Sequence, residues 1–467
     1  MLSVKSDNIK LKSFPSLSEN SFLRYFTFSA LYIAQGIPEG LLWYAIPAWL
    51  AMNGKTPAEI GSFVAVVALP WSLKIINAPF MDRFTYLPMG RRRPWVLFGQ
   101  LGLILSFLSM SLITDPLNNL PALMVLGFIV NFFSVSQDIA VDGMAIDILP
   151  VEQQARANGL MWGSKTLGIS GSVALGSRII SEQGFFYAII SFSFIVSLII
   201  LIPLLLRERP GEKLLPWTNG RVSKSSGAIQ LHSWKEVFKS LFKVFFLPVS
   251  LIMGIAAFSF SVGRGLIDTV LPVFTVQHLG WVDTHYSQIF ATANLISGIL
   301  GMIIGGFLID YFGKVKMISI YLVILILLVA SMSFLRTYWQ SEVFITAFII
   351  CFYTLVTFTT IAIFASAMQL CWKRISVTQF TLYMAVSNLG LAAGAAIMGQ
   401  LKGFLDWEYV ILGYIFFAAT MLILMRFINF EKHQKRVDEL EHRYNETNKL
   451  VIMVPGHETN IAGAELK

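Results

Sequence analysis

The 467-residue chain carries 35 Lys and Arg against 27 Asp and Glu, a net charge of +8, yet only 13% of its residues are charged and 55% are hydrophobic. An ordinary soluble domain carries roughly a quarter charged residues, and here the mean hydropathy is +0.68. Water is therefore excluded as the main solvent, and the basic excess is read as attraction to an anionic leaflet, with no nucleic-acid partner needed.

Apolar runs recur from Leu23 to Phe430, and each crossing of the hydrocarbon needs about 20 residues at a rise of about 1.5 Å. The predicted spans are, in chain order, 22–52, 58–81, 95–113, 120–149, 156–180, 184–206, 245–275, 285–309, 317–335, 342–370, 377–401 and 408–428. These divide the chain into an N-terminus over 1–21, a six-helix bundle over 22–206, a linker over 207–243, a second bundle over 244–428 and a tail over 429–467. Basic residues in short loops are retained on the cytoplasmic side. Placing both termini there puts 28 of the 35 Lys and Arg inside, against Lys55, Arg178, Arg336 and Lys402 outside and Lys74, Lys165 and Arg264 within spans. No cleavable signal is read at the start, since the first apolar stretch is long and interrupted by Glu39. In the tail, Val437, Leu440 and Tyr444 at helical spacing predict a short surface helix followed by a loose end.

The two halves overlay. Gly40 and Pro47 fall on Gly265 and Pro272, Asp82 and Phe84 on Asp310 and Phe312, and Met161, Ser164, Gly171 and Gly176 on Met384, Ser387, Gly394 and Gly399. Ordered blocks at nearly constant lag indicate duplication, and the small residues suit close helix packing in lipid. The expected fold is an all-α membrane protein of twelve transmembrane helices, two six-helix bundles related by a pseudo-twofold axis.

The loop after span two reads Asp82-Arg83-Phe84, then Gly90-Arg91-Arg92-Arg93, and its counterpart holds Gly306, Asp310, Gly313, Lys314 and Lys316. Both resemble the loop motif of the major facilitator superfamily, although Ala78 stands where the first copy would usually have glycine. That resemblance implies a latch between helix ends, and an acidic helix end beside clustered guanidiniums is a pairable, switchable contact. The other reading is that the arginines only enforce topology. Asp147 is read as a gate or cap partner for the same basic residues.

Ser136-Gln137-Asp138-Ile139-Ala140-Val141-Asp142 and Gln35-Gly36-Ile37-Pro38, with Met81-Asp82-Arg83-Phe84, resemble the peptide, acetyl-coenzyme A and drug transporter branch of that superfamily, and most of all AmpG-type muropeptide permeases. The resemblance is strongest over 25–175. It implies proton-driven import of anhydro-muropeptides by alternating access, for peptidoglycan recycling, across a bacterial inner membrane, with acetyl-coenzyme A or another amphipathic anionic solute as the alternative. The partners expected are substrate, protons and lipid, the protein being a monomer without cofactor or metal.

Charge at the bilayer centre costs about 2.5–3.5 kcal/mol on insertion scales, so it marks function by default. Asp138 and Asp142 lie one helical turn apart, as do Arg264 and Asp268. Two carboxylates this close in low dielectric do not ionise together cheaply, which makes Asp138, Asp142 and Glu39 the proton-coupling candidates. Either they titrate, or Asp138 or Asp142 forms a permanent salt bridge with Lys74 or Lys165. Glu39 and Arg264 occupy equivalent repeat positions, so a pairing across the cavity is expected. Gly36, Pro38 and Gly40 permit either a break in span one or a simple kink. Gln35, Glu39, Trp43, Lys74, Gln137, Lys165, Arg264, Asp268 and Asn388 are the substrate-contact candidates, with interhelical bonding an equal reading for Gln137 and Asn388. Neither a nucleotide-binding loop nor a nucleophile–base set is present, which disfavours a pump and an enzyme and leaves no catalytic residue to name. Cys351 and Cys371 suggest neither a disulfide framework nor a metal site.

Overall fold

The structure is a computed structural model and describes residues 16–231, 233–281 and 283–453. The expectations placed on residues 1–15 and on the tail beyond 453 lie outside the described residues.

The first half begins with α1 over 21–52, helical from Ser21 through a π-turn at Leu41–Ala45 to Met52. Next comes α2 over 57–83, started by a reciprocal Thr56–Glu59 cap with Pro57 in the first turn and jointed at Leu73, three residues after Pro70. It continues through α3 (Arg93–Ser111), α4 (Leu120–Ile148), α5 (Gln154–Gln183) and α6 (Phe185–Leu205). The second half holds α7 (Pro248–His278), α8 (His285–Phe312), α9 (Lys314–Phe334), α10 (Glu342–Leu370), α11 (Ser376–Lys402) and α12 (Trp407–Met425). Among the described residues ten helices are long and apolar enough to cross a membrane. The remaining two of the twelve, α1 and α5, are the ones whose polar side chains lower their hydropathy. They are packed tightly on each other, which is how a polar helix avoids lipid.

Small residues make that contact possible, and the repeat reproduces it. A Cβ on Gly40 of α1 would lie 2.5 Å from the Ile169 carbonyl of α5, and a Cβ on Gly265 of α7 would lie 2.1 Å from the Leu391 carbonyl of α11. Only glycine permits backbones this close. Of the two readings of Gly36–Gly40, a break or a simple kink, the break does not occur. The helix stays continuous past Pro38, widening into the π-turn where the Leu41 N–H is shared between the Ile37 and Pro38 carbonyls.

The linker and tail are more ordered than their composition implies. Leu17 and Ser18 N–H donate to the Arg207 and Glu208 carbonyls, Glu208 and Glu212 are buried, and an amphipathic linker helix spans Trp234–Phe245. The tail forms a helix over Phe430–Met453. Its Val437, Leu440 and Tyr444 pack with Val237 and Val244 of the linker helix against Trp372 and Ile375. That burial explains why the helix outruns the short surface element expected.

Candidate transport path and its end latch

The first half concentrates charge at mid-depth of α1, α2, α4 and α5. Lys74 Nζ pairs with Asp138 Oδ2, and Gln35 Nε2 donates to the other oxygen of the same carboxylate. Lys165 Nζ pairs with Glu39 Oε1 at 2.6 Å and stands over the Trp71 ring at 4.7 Å. Trp43 meets Trp71 edge-on at 6.2 Å. Asp142 is different. Its Oδ1 accepts from Tyr32 Oη at 2.5 Å, its Oδ2 is buried without a partner, and no lysine or arginine pairs with it among the described residues. Desolvating a carboxylate without a counter-ion is costly, so of these acids Asp142 has most to gain from holding a proton.

The pairing expected between Glu39 and Arg264 does not form. Equivalent positions lie on opposite walls, and each side chain finds a nearer partner: Lys165 for Glu39, and Asp268, one turn along α7, for Arg264 at 3.3 Å. Tyr353 Oη donates to the second Asp268 oxygen at 3.0 Å. About a third of the Arg264 side chain remains exposed, in a cavity of about 70 Å³ shared with Trp162, Thr166, Asn294, Tyr353 and Thr360. A second cavity of about 30 Å³ is lined by Tyr32, Trp71, Asp138, Asp142, Trp162 and Lys165, so Trp162 borders both. On this measure one water needs about 10–15 Å³. Cavities of this size have room for a few waters and not for a drug-sized solute.

Two substrate-contact candidates fall elsewhere. Gln137 is fully buried, donates to the Leu31 carbonyl at 2.8 Å and backs onto Gly99, which makes it a tie between α1, α3 and α4. Asn388 is exposed on α11 and lines neither cavity. Its depth matches Lys165 through the repeat, but its direction does not.

At the end of the bundle that bears the linker, the halves are bolted together. Asp82 Oδ2 accepts from Thr378 N–H (2.8 Å) and Oγ1 (2.7 Å) in the first turn of α11, while its Oδ1 accepts from Arg92 Nη2 at 2.7 Å. Arg92 Nε donates to Asp147 at 2.9 Å, and Ser376 of α11 donates to the same carboxylate at 2.9 Å. Arg91 reaches across to the Lys373 and Arg374 carbonyls. Burial lowers Arg91 to about 10, which leaves it charged at neutral pH. The second copy mirrors the first: Asp310 of α8 accepts from Ala155 and Arg156 N–H in the first turn of α5, at 3.2 and 3.0 Å. Each carboxylate sits where a helix N-terminus offers free N–H groups and positive potential. Gly90, three residues before α3, and Gly313, immediately before α9, have φ of 105° and 93°, a region other residues rarely adopt. Lys314 then donates to Gln154 (3.1 Å) and Gln369 (2.8 Å).

Two of the expected gate residues do other work. Arg83 lies over the Phe84 and Trp234 rings at 4.6 and 5.6 Å, outside the acidic cluster. Arg93 donates to the Pro203, Leu204, Lys213 and Leu214 carbonyls and so staples the linker to α3. The Major Facilitator Superfamily model matches residues 28–379.

The chain belongs to the major facilitator superfamily. Within it, the anhydromuropeptide permease of Escherichia coli K12 is 25% identical over 409 residues, covering 85% of this chain and 77% of that one. A Rickettsia conorii chain that carries the name transporter AmpG 4 is 25% identical over 427 residues, covering 87% and 96%. Among solved structures, the facilitator FucP in its outward conformation superposes with a TM-score of 0.66 at 13% identity, over 87% of this chain and 98% of that one, a likeness of fold. The protein is a transporter and not an enzyme, and its membrane fold is that of this superfamily.

Sequence reasoning missed Tyr32 as the Asp142 donor, although Tyr32, Gln35 and Glu39 recur at helical spacing on one face. It also missed Ser376 and Thr378, which carry no charge and so no signal.

Proposed function

We propose that the protein is a proton-coupled importer of anhydro-muropeptides working by alternating access, with both termini in the cytoplasm of a bacterium and the spans in its inner membrane. The observation that carries the coupling is Asp142, a buried carboxyl with a tyrosine for its sole bonded partner among the described residues, beside an Asp138 already satisfied by Lys74 and Gln35. A proton on Asp142 removes an uncompensated charge from the path, and its loss on the cytoplasmic side restores that charge, so occupancy of this one site biases which end is open. Arg264, partly exposed to the larger cavity, is the cation that meets the substrate's carboxylates, and Trp162 is the ring beside them. The resemblance to the Escherichia coli permease supports the substrate class, and the bias of Lys and Arg toward the linker side supports the orientation.

The test is uptake into proteoliposomes under an imposed pH gradient, with radiolabelled anhydro-muropeptide against acetyl-coenzyme A in parallel vesicles. Asp142→Asn is expected to lose gradient-driven accumulation while retaining exchange. Asp138→Asn, which strands Lys74, is expected to lose both. Normal accumulation by Asp142→Asn sinks the coupling role. Accumulation of acetyl-coenzyme A with none of muropeptide sinks the substrate assignment.

A further inference from the structure

The linker helix Trp234–Phe245 has two faces, and the fold uses only one. Val237, Ser240 and Val244 are buried against Trp372, Ile375 and the tail helix. On the outer face Phe238, Phe242 and the following Phe246 recur every fourth residue and are 47%, 63% and 60% exposed. The Phe242 and Phe246 rings lie parallel, 5.9 Å apart, and the Trp234 and Phe238 rings stack at 6.3 Å. Beside this stripe Lys235, Lys239 and Lys243 recur with the same spacing, all exposed. Aromatics and lysines on one register make a face that is apolar along one edge and cationic along the next.

The position of the helix decides what covers that face. Trp234 meets Phe80 at 4.9 Å and Phe84 at 5.8 Å, at the end of α2, and both phenylalanines are about half exposed. The stripe is thus continuous with the lipid-facing surface of a span at the level where that span ends. At the other end, Leu247 adopts an extended backbone conformation and Pro248 starts α7, so the chain turns sharply between the linker helix and the next span. A helix that leaves the bundle at the depth of the span ends, with rings on one edge and ammonium groups on the next, has the build of an interfacial helix. A protein partner would need to match three lysines and an aromatic stripe already joined to the lipid surface. A bilayer with anionic headgroups matches both without further fitting.

We propose that the linker helix lies in the headgroup layer of the leaflet on the linker side, with Phe238, Phe242 and Phe246 in the acyl boundary and Lys235, Lys239 and Lys243 on lipid phosphates, so that it recognises anionic lipid. Because its inner face carries Trp372 and Ile375, which flank Arg374 of the latch, lipid composition bears directly on the closed end. This does not depend on the identity of the solute.

The test uses the full chain, with Phe242→Cys spin-labelled in a Cys351→Ala background. Power saturation is recorded in phosphatidylcholine vesicles with and without phosphatidylglycerol, and a label at Ser225→Cys in the exposed linker is the control. At position 242 oxygen is expected to relax the label more than a water-soluble nickel chelate does, with the reverse at 225, and adding phosphatidylglycerol is expected to deepen the 242 label. Lys235→Gln, Lys239→Gln and Lys243→Gln together, or salt raised to about 1 M, where the Debye length falls to about 3 Å, are expected to remove the lipid dependence and leave the ring insertion. A 242 label more accessible to the nickel chelate than to oxygen in both vesicles overturns the proposal. Equal depth with and without phosphatidylglycerol overturns the recognition of anionic lipid.

Discussion

Asp82 and Asp310 stand at equivalent points of the two halves, and each caps the first turn of a helix in the opposite half. Around them the chemistry diverges. Asp82 shares Arg91 and Arg92 with Asp147, all but Asp147 fully buried and that one nearly so. Asp310 has Arg156 at 3.8 Å, a third exposed. Leu370 occupies the repeat position of Asp147, so no second carboxylate exists there. The cap is the part of the device that the two copies share, and it needs only one carboxylate and a free helix end. The arginine network is specific to the first copy. A buried network is stable only while every member is paired, which makes the first latch all-or-none and the second a gentler contact.

The largest expected effect breaks that difference directly. Asp82→Ala leaves two buried guanidiniums undercompensated and is expected to cost about 3–5 kcal/mol, whereas Asp310→Ala loses a helix-end interaction of about 1 kcal/mol. Thermal unfolding of the two variants in detergent measures both, and equal losses would erase the distinction between the copies. A middle-sized effect concerns the tail. Glu441 accepts from Arg374 Nη2 at 2.6 Å and Nε at 2.7 Å and from Trp372 Nε1 at 2.8 Å, while the Arg374 carbonyl receives Arg91. Glu441→Gln is expected to loosen the tail helix and to cost about 1 kcal/mol after allowance for its partial exposure. Faster proteolysis of the tail with the bundle intact reads it out. No corresponding clamp exists for the second copy among the described residues, so Asp310 variants should leave tail proteolysis unchanged.

The smallest effect is a pH dependence confined to that clamp. The Arg374 guanidinium and its bonds hold Glu441 below the usual glutamate range against the opposing pull of burial. A carboxylate with a depressed folded value stabilises above its unfolded value, and that stabilisation is lost as pH falls through the folded one. Tail protection from protease should therefore be flat at neutral pH and decline only below about pH 4.5, and the decline should disappear in Glu441→Gln. A decline beginning near neutrality would point to another group.

Much of the fold was legible because lipid imposes a simple demand. Twelve apolar runs, two of them more polar, correspond to the twelve helices, and the blocks around Gly40 and Asp82 located the repeat. Intramembrane charge picked out Glu39, Lys74, Asp138, Asp142, Lys165, Arg264 and Asp268, all of which the structure places in charged contacts or cavity linings. Their pairing was legible only in part: Lys74–Asp138 was among the alternatives and Arg264 and Asp268 share a helical turn, but the partner of Glu39 was not. Glu39 chose Lys165 over Arg264 because the close approach of α1 to α5 brings those two within reach, a fact of helix packing that no spacing along one chain encodes. Gln137 illustrates the same limit, since residue type could not say whether its amide faced a cavity or the Leu31 carbonyl.

The amino-acid sequence by itself determined the solvent, the number of spans and their duplication, because hydrocarbon tolerates only helices of a set length with their polar groups satisfied. That Glu39 pairs with Lys165, that among the described residues Asp142 is left with only Tyr32, that uncharged Ser376 and Thr378 complete the latch, and that the tail helix grips Arg374 were decided by the tertiary structure alone. Ion pairing in low dielectric depends on separations of a few ångströms between helices distant in the chain, and those separations exist only once the bundle has closed.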